Sequence, residues 1–596
     1  MVPNRRGRSL TTALFLLILG YFLLLQLPFS CSPWGYHRKP TAVINENIRP
    51  DNIHLKNAHK IHPILEYIPL PTNPTPLPRI QHEFEPEGWS ERRTRLQRQK
   101  AVKKSFLHSW NGYKNHAWLR DEVSPVTGKY EDSFSGWGAT LVDSLDTLII
   151  MGLDDELKLA LEALKQIDFS TTFSKEVNVF EIVIRYMGGL IAAHDLTNGT
   201  HPILLKKAEE LGQMIFYAFD TNNHMPQMRW KWGRSAIGQE IEANTHTSLA
   251  ELGSLTVEFT RLTQLTGNPM YYDAVQRITN ELDKVQMHTK APGLWPNFID
   301  ALRLDFNGSE FSLGGGADST YEYLPKEHIL LGGQTDQYKK MWERSLAAIK
   351  KNLLFRAVTK EEDKQILFTS NLRITEGGIS HIQHTSDHLK CFIGGTVGIA
   401  AKIFNRPQDL SIAQGLTDAC IWAYDSMPTG VMPESFQFTP CTDLEDCAWD
   451  ENQWYESVLG QPVQLQQQRR EAQKIVAAEV IPPGMVGTKD SSYKLRPEAV
   501  ESVFIMYRIT GDKSLQDAAW RMFQNIEKMT HTNFGHSAVD DVRDLSTRKA
   551  DKMESYWLAE TLKYLYLIFS EPDHVSLDEY VLSTEAHPFK RPSGFV

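Results

Sequence analysis

The body of this chain contains no basic block, and its net charge is −10 over 596 residues. Nucleic acid is therefore excluded as a main partner, because a phosphate backbone needs clustered Lys and Arg. Cysteine is scarce, with five in all and none in C-x-x-C spacing. That spacing is what a zinc ribbon or finger requires. HIQHTSDHLKC does place His381, His384 and His388 near Cys391. In an oxidising compartment, however, Cys391, Cys420, Cys441 and Cys447 are an even set able to form two disulfides, and zinc is the weaker reading. Alternating β-branched runs are also scarce, which leaves little sequence for a large sheet. Long apolar runs are absent except for one.

That run is Leu10 to Leu27, which carries no charge. At about 1.5 Å per residue it spans roughly 27 Å as a helix, close to a bilayer core. Arg5, Arg6 and Arg8 precede it, which predicts a cytosolic tail over 1–9, a single-pass signal-anchor over 10–27 and a lumenal remainder. A cleaved leader ending near Ser30 and Ser32 is the alternative, but the run is longer than a usual signal core. Cys31 lies at the membrane edge. The segment 28–90 is Pro-rich, with YIPLPTNPTPLP (67–78) unable to continue a helix. It is expected to be an extended stem. Asn198-Gly-Thr and Asn307-Gly-Ser are glycosylation sequons that suit this compartment.

From 91 to 596 the pattern is helical. Val102, Phe106, Trp110 and Tyr113 keep a helix period, as do Leu153, Leu157, Leu161 and Leu164. Turn signals followed by fresh helices recur near Gly152, Asn198, Gly267, Gly333, Asn405 and Gly511. The copies LTGN and ITGD are plainly alike. Each joins two helices, so the chain is an array of helical hairpins, which can stack as an open solenoid or close into a toroid.

Carboxylates interrupt the apolar helices. They are Asp143, Asp146, Glu181, Glu251, Asp318, Glu434, Glu498, Glu501, Glu560 and Glu585. LRPEAVES shows the pattern. Pro497 suits a helix start, and Glu498 and Glu501 lie one turn apart ahead of an apolar face of Val500, Val503, Phe504 and Tyr507. Singly, such residues are more often solvated or paired. Repeated at one end of successive hairpins, they would converge if the array closed, and clustered carboxylates divide acid and base roles between them. Glycoside hydrolysis needs such a pair. The 14 Trp and 10% aromatic content suit a sugar cleft, and equally suit a large core.

DSFSGWGATLVDSLDTLIIMGL, NVFEIVIRYMGG, GADSTYEYL, DHLKCFIGGT, LRPEAVES, MESYWLAETLKYLYLIF and STEAHP occur in this order. Together they resemble the class I α-1,2-mannosidases, glycoside hydrolase family 47, over roughly 98–590. The resemblance implies an all-α fold, an (αα)7 barrel, that removes terminal α-1,2-linked mannose from high-mannose N-glycans with inversion. It implies a location in the endoplasmic reticulum or Golgi membrane and a Ca²⁺ ion at the barrel floor, bound by Thr584. It makes Glu181 and Asp318 the general-acid candidates and Glu498 the base. Arg185, Glu251, His388, Glu434, Arg496, Glu501, Tyr556, Glu560 and Glu585 match pocket positions. Cys391–Cys420 matches the family disulfide, which leaves Cys441–Cys447 as an extra one. Gly316 departs from the family pattern, where Arg or Leu is usual, and Tyr556 stands where Phe is usual. The segment 436–486 is unlike the usual loop and is expected to reshape the cleft. A glycan-binding lectin on the same fold is the competing function. It does not explain why Glu181, Asp318, Glu498 and Thr584 are all intact.

Overall fold

The structure, a computed structural model, describes residues 54–55, 58–361, 364–444 and 447–592. The expected tail, the membrane segment 10–27, Cys31 and the first part of the stem lie outside the described residues. Among the described residues no helix is long and apolar enough to cross a membrane.

Two kinds of helix alternate along the chain, and burial separates them. In Glu498–Thr510 every residue from Ala499 to Ile509 is buried. In Lys513–Thr530, which follows it, burial is confined to one stripe of Leu515, Ala518, Ala519, Met522, Phe523, Ile526, Met529 and Thr530. A helix buried all round belongs inside, and one with a single apolar stripe belongs outside. The inner segments are Ala139–Asp143 with Leu145–Ile150, Val179–Glu181 running on to Leu196, Leu249–Gly253 with Thr256–Thr266, Asp318–Leu330, Phe392–Ile403, Glu498–Thr510, and Trp557–Thr561 with Leu562–Ile568. The outer helices are Trp89–His116, Asp154–Leu164, Pro202–Ile215, Pro269–Val285, Gln337–Asn352, Leu410–Asp425 and Lys513–Thr530. Each inner segment packs on the next, and the last packs on the first. The array is therefore a closed (αα)7 barrel, which hairpin periodicity alone left open.

The turns explain why the inner helices all point the same way. Gly267 and Gly511 take left-handed φ of 71° and 74° and donate their N–H to Thr263 and Tyr507, ending an inner helix. Asn268 and Asp512 then cap the outer helix by accepting from the backbone of Met270 and Ser514. Inner helices thus end at one mouth of the barrel and begin at the other. Close packing fixes them there. A Cβ on Gly395 would lie 2.8 Å from Ile505, and one on Gly398 would lie 2.7 Å from Met506. The helix that starts with Glu498 is held against its neighbour with no slack.

The turn end is plugged by a hairpin. Tyr580–Leu582 pairs antiparallel with Pro588–Lys590, and its tip pushes Thr584 and Glu585 into the barrel. Buried His587 holds the tip through Asp146 at 2.9 Å and Asp143 at 3.0 Å, and Lys563 joins Asp146 at 2.6 Å. These two aspartates, expected among the inward carboxylates, therefore anchor the plug. Burial alone would raise the pKa of Asp146, but the Lys563 and His587 charges outweigh it and hold it low.

Cys391 pairs with Cys420, tying an inner helix start to an outer helix, and Cys441 pairs with Cys447. The segment 439–484 grows between strands Ser435–Phe438 and Met485–Asp490 and carries helices Glu451–Leu459 and Gln466–Glu479.

The described part of the expected stem is docked on the barrel. Ile61 and His62 both donate backbone N–H to Asp220 at 2.7 Å, Ile68 to Asp273 at 2.8 Å, and Ile80 to Asp578 at 2.7 Å. Thr75 and His82 donate to the carbonyls of Gly332 and Arg508. Extended backbone has no internal partners, so its N–H groups are satisfied by barrel carboxylates and turn carbonyls. At roughly 1 kcal/mol per bond, the strap contributes several kcal/mol. A fragment beginning at residue 90 is expected to melt several degrees below one beginning at residue 54, by differential scanning fluorimetry. Equal melting temperatures would show that the strap adds nothing.

Candidate active site

The open mouth of the barrel leads to a cavity of about 310 Å³ lined by Glu181, Arg185, Glu251, Asp318, Arg496, Glu498, Glu501, Tyr556, Glu560, Thr584 and Glu585. Eleven of the expected site residues therefore converge, from five inner segments and the plug. Helix starts bring most of them. Asp318 and Glu498 are the first residues of their helices, and Glu251 sits in the first turn of its own, capped reciprocally with Ser248. Two π-helical turns, Ile182–Met187 and Trp557–Thr561, lie beside Glu181 and at Glu560. Such turns recur at functional sites because they re-aim side chains.

Glu498 and Asp318 occupy opposite electrostatic situations. Glu498 accepts from His388 Nδ1 at 2.9 Å and faces Arg496 at 3.9 Å. Burial would raise its pKa, but the His388 hydrogen bond and the Arg496 charge outweigh it and keep the carboxylate below its ordinary range. Asp318 is pushed up to about 7, first by burial and then by the charges of Glu322, Glu498 and Asp387, against one hydrogen bond from Ser319 N–H. One carboxyl is held ionised at neutral pH, while the other keeps much of its proton there.

Glu181 is bound to Arg185, which reaches it from Nε at 2.9 Å and Nη2 at 2.8 Å. Arg185 also meets Glu585 at 3.0 Å and stacks over Phe134 and Tyr556. Tyr556 donates its hydroxyl to the Lys494 carbonyl at 2.7 Å, which fixes its ring on the cavity wall. Deeper in, Glu501 and Glu560 are pushed well above the usual carboxylate range, both first by burial, then Glu501 by the Glu322 charge and Glu560 by Glu585.

His388 and Glu434 do not line the cavity. His388 is fully buried behind Glu498, with Nε2 at 2.9 Å from the Tyr424 hydroxyl. Glu434 lies behind Arg496, accepting from its Nε at 2.6 Å. Both aim the residues in front of them. No described residue of 436–486 lines the cavity either. Sequence reasoning missed Glu322 and Lys326. Glu322 lines the cavity and pairs with buried Lys326, which also lies 3.6 Å from Glu501. The signal was present, since Glu322 follows Asp318 by one helical turn in DSTYE.

Among the described residues no group of three or more His, Cys, Asp or Glu side chains is arranged to hold a metal directly. The floor nevertheless suits a hard cation. Glu501 Oε1 is buried with no hydrogen bond, facing only the Lys326 ammonium at 3.6 Å. Thr584 lies beside Glu560, pushed up by burial and then by the Glu585 charge, and beside Glu585, pushed up by burial and by the Asp143 and Glu181 charges against the Arg185 charge and a hydrogen bond with Glu560. Ca²⁺ accepts neutral oxygens and keeps waters that bridge to carboxylates.

The model of glycosyl hydrolase family 47 matches residues 105–591. A mannosyl-oligosaccharide 1,2-α-mannosidase of Arabidopsis thaliana is 33% identical over 83% of this chain and 79% of its own length. A human endoplasmic reticulum mannosyl-oligosaccharide 1,2-α-mannosidase is 33% identical over 87% of this chain and 66% of its own. Among solved structures, an α-1,2-mannosidase from Trichoderma reesei superposes with a TM-score of 0.72 at 30% identity, covering 83% of this chain and 99% of its own.

Proposed function

The chain belongs to glycosyl hydrolase family 47 and removes α-1,2-linked mannose from mannosyl-oligosaccharides in N-glycan processing, and from that premise we propose how its residues do so and where. Glu498 is the base that activates the attacking water, Asp318 is the acid that protonates the leaving oxygen, and the anomeric configuration inverts. The contrast between an ionised Glu498 and a proton-holding Asp318 in one cavity carries this reading. Arg185, Arg496 and Tyr556 bind and orient the cleaved mannose. His388 and Glu434 position Glu498 and Arg496. Thr584, through its carbonyl and hydroxyl, would hold Ca²⁺ on the floor, with Glu501, Glu560 and Glu585 reached through water. When bound, that ion supplies positive charge against the floor carboxylates. The substrate is a high-mannose N-glycan on a glycoprotein. The enzyme works in the secretory pathway, anchored through 10–27 in the endoplasmic reticulum or Golgi membrane with its barrel lumenal.

The full chain incubated with a Man9 N-glycan is expected to release hexoses, read by mass, and to stop after chelation. Fresh product followed by proton NMR is expected to be β-mannose first. Glycan binding without hexose loss would instead make the protein a lectin, and α-mannose first would exclude inversion.

A further inference from the structure

Beside Gly316, the rim of the cavity carries a feature that cleavage at its floor does not require. Thr247–Ser248 pairs antiparallel with Phe298–Ile299, placing Ser248 opposite Phe298. Ser248 caps the helix bearing Glu251, so this short ladder is fixed to the cavity wall. Phe298 is 44% exposed. The His246 ring stacks on it at 4.5 Å with an interplanar angle of 12°, which fixes its orientation. A Cβ on Gly316 would lie 3.8 Å from Phe298 Cζ and 3.7 Å from Ser248 Cβ. Gly316 has none, and its φ of 91° lies where glycine is favoured. The ring edge therefore borders the mouth, while Phe298 itself stands outside the cavity lining. On the same wall Arg229, half exposed, reaches Glu251 at 2.7 Å.

A single exposed phenylalanine is ordinary. A ring held by a second ring, at the mouth of a sugar-cleaving cavity and near an ion pair whose arginine is half exposed, has the composition of a carbohydrate subsite. Pyranose C–H bonds pack on the negative face of an aromatic ring, and charged groups beside it satisfy the hydroxyls. Because Phe298 lies beyond the cavity, sugars farther along the glycan than the cleaved pair are the ones that reach it.

We propose that Phe298, backed by His246, is a stacking platform for a mannose residue beyond the disaccharide at the cleaved linkage, with the Arg229–Glu251 pair facing its hydroxyls. The proposal rests on the activity assigned above and concerns which glycan arm is held, not the chemistry. The test compares Phe298→Ala, Phe298→Trp and the unaltered chain on a Man9 N-glycan and on α-1,2-mannobiose. Phe298→Ala is expected to lower kcat/KM for Man9 about tenfold, as for one lost aromatic stack, and to do so through KM. It should change the order in which Man8 isomers appear and leave mannobiose turnover unaltered, while Phe298→Trp restores Man9. Equal losses on both substrates, or no loss on Man9, would overturn it. If the unaltered chain cleaves neither substrate, the activity itself is refuted. Man9 affinity by calorimetry then decides the platform, an about tenfold weakening in Phe298→Ala supporting it and equal affinity refuting it.

Discussion

Glu498→Gln is expected to reduce kcat on Man9 by about a thousandfold or more, in line with loss of a positioned general base, while leaving the melting temperature nearly unchanged. Glutamine keeps the volume and can still bond to His388, so the helix start and its neighbours stay in place. What is lost is the negative charge proposed to take a proton from water. His388 holds Oε2 and Arg496 faces Oε1, so no other carboxylate is placed in the same hydrogen-bonding frame. Thermal melts and single-turnover kinetics check both halves. A variant with full activity would remove Glu498 from the mechanism, and one that fails to fold would show that the charge is needed for structure first. His388→Ala separates position from chemistry. Losing the His388 hydrogen bond should raise the Glu498 pKa toward the range that burial imposes, so the acid limb of the rate profile is expected to move to higher pH.

The helix start at LRPEAVES was legible because it is local. Proline at the first turn, an acidic pair one turn apart and an apolar face need no partner to be recognised. The hairpin turns were legible for the same reason, since glycine followed by Asn or Asp is a stop and a start in adjacent residues. Closure of the barrel was carried by the resemblance and not by periodicity, because a hairpin does not encode the angle to its neighbour. The link from Tyr424 through His388 to Glu498 joins residues 36 and 110 positions apart, and no spacing rule reaches that far. The segment 28–90 reads only as an extended stem because Pro-rich sequence has no periodic face, and nothing in it signals that its described part is docked. Its docking depends on Asp220, Asp273 and Asp578, which look like ordinary surface acids in sequence. Asp143 and Asp146 mislead in the opposite sense. They sit in an apolar helix like the carboxylates that line the cavity, but His587, over 400 residues away, claims them for the plug.

Asp318→Asn is expected to cost about a hundredfold to ten-thousandfold in kcat, the range for a general acid, and its pH behaviour separates it from the other acid candidate. With Glu498 ionised below its ordinary range and Asp318 protonated up to about 7, the rate should rise at low pH as Glu498 loses its proton and fall near pH 7 as Asp318 loses its own. Asparagine cannot ionise, so the basic limb should vanish in the residual activity. Glu181→Gln breaks the pair with Arg185 and should lower the rate while leaving that limb in place. If the limb instead persists in Asp318→Asn and disappears in Glu181→Gln, the acid is Glu181 acting through water. Stability gives an independent reading of the same group. A carboxyl whose pKa is raised by folding binds its proton more tightly in the native state, so it takes stability away as pH rises from the unfolded value near 4 through 7. Asp318→Asn should therefore melt higher than the unaltered enzyme above pH 7 and closer to it at pH 5. The residue that supplies the proton for catalysis is then also one that the fold would be more stable without.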